Sequence, residues 1–223
     1  MKAAARVLIA GTLAAVAACA PRQEAPKLYD AKATYEYLRD IGRVRALSNA
    51  DNKERIPAMI RNGDAAMLAG QGAKTEDYKR TLAAIPAAGV DPDALTFGRN
   101  FAAILDSYRS VCADSAELFR ELKASEAGPP ASSPALPQIR FGTQAYQTDT
   151  IGTVDSLLES VGRMDTGAKP GGVLLQPIVA KLRLDRDSLR AAKVAHHDFT
   201  AKLKTELARR YPGRDWNAKE ILP

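Results

Sequence analysis

The sequence predicts an all-α protein, an antiparallel bundle of about five to six helices interrupted by a proline-rich linker. Three observations lead there. Alanine supplies 41 of the 223 residues, against 15 glycines and 13 prolines, a composition suited to helices packed closely through small side chains. Long segments repeat apolar residues at three-, four- and seven-residue steps, the period of one helix face. With 46% apolar residues and two cysteines, the chain can build a core of its own, which argues against a disulfide mini-protein and a disordered chain.

The first element is an export segment over 1–18. Lys2 and Arg6 precede an apolar run of about twelve residues ending at Ala18, well short of the roughly twenty that cross a hydrocarbon core. The residues Val16-Ala17-Ala18-Cys19 resemble the lipobox of bacterial lipoproteins. That resemblance implies cleavage before Cys19 and lipidation of its thiol with acyl chains such as palmitate. Small residues ahead of the cut let the backbone lie extended in a protease cleft. Two or three acyl chains exceed the marginal hold of one, so the resemblance implies stable attachment to a membrane. Ala20, in place of aspartate, points by the same resemblance to the outer membrane, with the domain facing the periplasm.

Residues 19–28 form the lipidated cysteine and a tether with two prolines, reaching at most about 30 Å. The bundle domain then occupies 29–223. A first helix is expected over 30–49, with Leu38, Ile41, Val44 and Leu47 on its apolar face. Pro57 interrupts, a second helix covers 57–69 until Gly70 and Gly72 stop it, and a short third covers 75–85. Asp91-Pro92-Asp93 starts the clearest helix, since Asp91 can cap, proline fits the first helical position and Asp93 suits the positive end of the dipole. Phe101, Tyr108, Ser115 and Leu122 follow at seven-residue intervals, which places Cys112 on the apolar face. Residues 125–138 gather glycine, serine and proline into an extended linker. A fifth helix over 143–164 carries Ile151, Val154, Leu157, Val161 and Met164, and a glycine-rich turn at 167–172 ends it. The last helix runs over 177–210, and Trp216, Ile221 and Leu222 form a closing turn.

Chemistry is sparse in this sequence. His196 continues the apolar series of Leu182, Leu189 and Leu203, so it reads first as a seam residue and second as a ligand or general base. Its neighbour His197 points about 100° away and cannot chelate the same ion. With Cys112 and Met164 it makes the candidate lining of a small-molecule or metal site. The sequence holds no Glu-x-x-His pair, no Cys-x-x-Cys-His, no Gly-x-Ser-x-Gly and no P-loop, so no cofactor and no catalytic set is implied. Arg39 and Arg43, one helical turn apart, could clamp an anion.

Charge is the remaining hint. The whole chain carries +6, and residues 169–223 alone carry +6 while 20–168 carry −2. Lys202, Lys204, Arg209 and Arg210 are the candidate contacts to an anionic surface, held by salt-sensitive electrostatics. Nucleic acid is not the expected partner of an exported lipoprotein. The sequence therefore predicts a lipid-anchored, non-enzymatic envelope protein acting by contact with a protein, polymer or lipid, with a ligand- or metal-binding bundle as the alternative.

Overall fold

The computed structural model describes residues 29–126, 149–162, 172–218 and 221, and it is all-α. The described residues form six α-helices and one π-helical turn, with no strand among them. The export segment with Cys19, the tether, the linker from 127 onward, Met164 and the glycine-rich turn up to 171 lie outside the described residues.

Helix α1 (Ala31–Ala50) begins where the Asp30 side chain accepts the Lys32 N–H at 2.7 Å. Its buried face carries Leu38, Ile41 and Val44, whereas Leu47, expected on the same stripe, is exposed. The chain does not break at Pro57. It widens into a π-helical turn (Asp51–Arg55) and continues as α2 (Ile56–Arg61). Proline has no N–H, and its ring collides with the carbonyl four residues earlier, so a regular α-helix through this point would be strained. In the wider register the Ile56 N–H reaches Asp51 O, five residues back. The next carbonyl, Asn52 O, would need an N–H from Pro57; instead it accepts the Thr150 hydroxyl at 3.0 Å. A local defect is thus completed by a residue 98 positions away.

Gly63, at φ +63°, turns the chain, and its bare Cα faces the Phe119 ring, which a Cβ would approach to 3.4 Å. Helix α3 (Ala65–Ala83) then runs straight through Gly70 and Gly72, which the sequence alone reads as a stop. Two helices expected over 57–69 and 75–85 are replaced by the short α2 and this longer one. Glycine costs about 1 kcal/mol in a helix interior, too little to break one that is packed along its length.

Helix α4 (Pro92–Glu126) is the axis of the molecule. The Asp91 side chain accepts the Asp93 N–H at 2.9 Å, the cap the sequence predicts. Phe101, Tyr108, Ser115 and Leu122 are all buried, as is Cys112. Helix α3 lies antiparallel along one flank, with Glu76 and Lys79 facing Arg109 and Asp106. On the other flank lies α6 (Gly172–Arg210), also antiparallel, and α1 runs beside the first half of α4. Gly98 permits that approach, because a Cβ there would collide with Tyr37 Oη and press on Ile41.

Helix α5 (Thr150–Gly162) bridges α2 and α6. The last helix starts at Gly172 and contains Pro177, which forfeits a single hydrogen bond near the helix start. Beyond it Trp216 is buried against Tyr35 and Tyr211, and its indole N–H donates to Tyr211 O at 3.1 Å. Ile221 is buried too, so the closing turn forms as the sequence predicts, with Leu222 outside the described residues.

Replacing Thr150 with valine keeps the side-chain shape but strands Asn52 O. Urea unfolding should show a loss of about 1–2 kcal/mol, and Thr150→Ser should recover most of it.

Candidate functional site

The π-helical turn places Asp51 where a charge is costly, and only 3% of the residue is exposed. Four donors converge on its carboxylate. Gln71 Nε2 donates to Oδ2 at 3.0 Å, Tyr78 Oη to Oδ2 at 2.8 Å, and Lys74 Nζ to Oδ1 at 3.0 Å, all from α3. Arg55 Nη1 lies 3.3 Å from Oδ1, one turn along its own segment. Burial alone would raise the carboxyl, but the hydrogen bonds from Lys74, Tyr78 and Gln71 outweigh it and hold Asp51 below its ordinary value. A carboxylate so saturated is a poor base and a strong latch.

Next to this latch a cleft of about 340 Å³ is lined by Arg55, Ala58, Met59, Asn62, Asp64, Met67 and Gln71. Arg55 and Gln71 belong to both, so the latch sets one wall of the cleft. The two methionines give that wall adaptable apolar surface, and Met67 is 55% exposed. Asp64 is engaged in capping α3, accepting the Met67 N–H at 3.0 Å.

A second buried carboxylate, Asp91, closes the far end of the molecule. Arg210 Nη1 donates to both its oxygens at 3.0 Å, Tyr211 Oη donates at 3.0 Å, and Arg210 Nη2 reaches Asp93 at 2.6 Å. The Asp91 N–H donates to Thr34 Oγ1 at 3.0 Å, so α1 joins the same junction. Asp114, on α4, is the third buried carboxylate; Lys181 Nζ donates to its Oδ1 at 2.5 Å.

The expected ligand set is not assembled. His196 is buried between Phe97 and Phe101, with ring centroids 4.5 Å and 5.9 Å away. Cys112 lies on α4 eleven residues beyond Phe101, about 16 Å along the helix axis. Met164 falls outside the described residues. Among the described residues no group of three or more His, Cys, Asp or Glu side chains is placed to hold a metal ion. Burial pushes the Cys112 thiol up to about 12, with the Asp51 charge adding to it. His197 is exposed, as its helical position predicts. Arg39 and Arg43, which could clamp an anion but read first as a solvated face, both meet Asp40.

The cations of α6 are distributed by partner. Arg186 and Arg190 meet Asp155 on α5, and Lys193 meets Asp149, the residue just before that helix, at 2.5 Å. Arg209 pairs with Glu206, and Arg210 is bound into the Asp91 junction. Of the four candidate surface contacts, Lys202 and Lys204 alone form no ion pair among the described residues.

Sequence reasoning did not single out Asp51, Lys74 and Tyr78. Their signal was present: Gln71, Lys74 and Tyr78 stand at three- and four-residue steps, one polar face of a helix. It is visible only if α3 is carried through its two glycines. Set against protein-family models, curated proteins and solved structures, the chain matches none.

This geometry has three measurable consequences. Asp51→Ala leaves the buried Gln71 amide without its acceptor, while Lys74 can turn to water, and should lower stability by about 1–3 kcal/mol in denaturant unfolding. Because the Asp51 carboxyl is depressed in the folded state, its contribution is complete above the ordinary value of 3.8 and is lost as acid titrates the folded protein. Cys112 should stay unreactive toward a thiol reagent at pH 7.5 and react fully once denaturant is added.

Proposed function

We propose that this chain is a lipid-anchored cell-envelope protein whose helical bundle acts without catalysis, by contact with an envelope protein, polymer or lipid. The observation that carries the reading is the Val16-Ala17-Ala18-Cys19 pattern behind a basic, apolar start. The implied location is the outer membrane, facing the periplasm. The interior supports a contact role: Asp51, Asp91 and Asp114 each take donors from a neighbouring element, so their charges hold helices together. Lys202 and Lys204 remain for an anionic surface, a smaller set than the sequence offered.

A second reading, a small-ligand-binding bundle, is favoured by the cleft that Met59, Met67 and Arg55 line. Its ligand would be small, with an apolar part for the methionines. Native mass spectrometry of the detergent-solubilised chain separates the two readings. Mass beyond the polypeptide and its acyl chains, lost on Met67→Glu, favours the ligand; a bare lipidated chain favours contact.

Cys19→Ala should abolish incorporation of a clickable fatty acid, and persistent labelling would remove the anchor from the proposal. Lys202→Gln with Lys204→Gln should weaken retention on anionic vesicles at low salt, and unchanged retention counts against the basic surface.

A further inference from the structure

The seam between α4 and α6 carries two titratable groups, one in each half of α6, and each has buried polar atoms with no hydrogen-bond partner. In the first half, Asp185 faces Asp114. Asp114 is 1% exposed and its Oδ1 accepts Lys181 at 2.5 Å. Its Oδ2 is buried with no donor, and so is Oδ2 of Asp185. The two side chains interact directly, and a single proton shared between them gives each of these buried oxygens a partner. The charged surroundings are Asp114 on α4 and Lys181 on α6 itself, with Glu117 acting on Lys181. From α5, Asp155 is bound by Arg186 and Arg190. Burial, then the hydrogen bond to Asp114 and its charge, push Asp185 up to about 6, against the opposing effect of Lys181.

Eleven residues on, about 16 Å along α6, His196 has the opposite problem. It is 3% exposed, and neither ring nitrogen has a hydrogen-bond partner. Helix α4 presents the rings of Phe97 and Phe101 to it. The charges acting on it are cationic, Arg45 from α1 and His197 from its own helix, while Asp149, just before α5, is taken by Lys193. Burial, followed by those two groups, pushes the imidazole down to about 4.

We propose that the α4–α6 seam is a two-ended proton-operated clamp, in which a shared proton between Asp114 and Asp185 tightens the first half of α6 and protonation of His196 loosens the second. The signs follow from linkage. The Asp185 contribution is complete below its ordinary value of 3.8 and is lost as pH rises through about 6. The His196 contribution is complete above its ordinary value of 6.5 and is lost as pH falls through about 4. Between these limits the two run in opposite directions, so overall stability changes little while order moves from one half of α6 to the other.

Amide hydrogen exchange of the full chain at pH 4.5 and pH 7, corrected for the intrinsic pH dependence of exchange, tests this. Protection over 178–190 should fall about 20- to 30-fold on going to pH 7, as a rise from 3.8 to about 6 supports over that range, while protection over 193–205 rises. Asp185→Asn should flatten the first response alone, and His196→Phe the second alone. Halves that respond together, or a response over 178–190 that survives Asp185→Asn, would overturn the clamp. If Asp185→Asn fails to fold, carbon-13 titration of the wild-type carboxyls decides. A midpoint near 6 for Asp185 supports the shared proton, and one near 4 removes it.

Discussion

Asp91 holds the two longest helices in register. Its carboxylate is fully buried at the start of α4, where the cost of an isolated charge would be several kcal/mol, and Arg210 from the end of α6 answers it, with Nη1 donating to both oxygens and Nη2 reaching Asp93. Sliding α6 by a turn would carry Arg210 away from this charge. That register is what brings Lys181 opposite Asp114 and seats His196 between Phe97 and Phe101. Thr34 and Tyr211 tie α1 and the closing segment to the same point, so the beginning and end of the bundle share one junction.

At the other end the constraint is a missing hydrogen rather than a buried charge. Pro57 cannot donate, the helix widens, and the widened turn presents Asp51 to α3 and Asn52 O to α5. One imino acid thus recruits two other helices. Gln71, Lys74 and Tyr78 clamp the carboxylate, Thr150 completes the carbonyl, and the cleft beside Met59 and Met67 takes its wall from the same residues. At this wall Arg55 keeps a largely exposed guanidinium, while Asp51 is already satisfied by α3.

Charge plays different parts along α6. Its cations look like one basic face in sequence, yet most of them reach to acids on or just before α4 and α5 and act as fasteners. The same helix contributes Asp185 and His196, whose buried polar atoms have no hydrogen-bond partner. A helix that is strongly fastened at intervals and electrically unbalanced between them can hold its register while its halves differ in order.

The all-α class, the cap at Asp91, the buried stripe of α4, the burial of Cys112 and the exposure of His197 were legible in the sequence, because each depends on residues within a turn or two of one another. Helical period and capping are local, and local rules carry them. The continuity through Pro57 and through Gly70 and Gly72 was not legible, because it rests on neighbours that supply a hydroxyl or a packed flank from far along the chain. The partners of Asp51, Asp91 and Asp114, the separation of His196 from Cys112, and the inward commitment of Arg210 were likewise decided by tertiary structure. A buried charge must find its complement in space, and spacing along the chain does not say which helix will bring it.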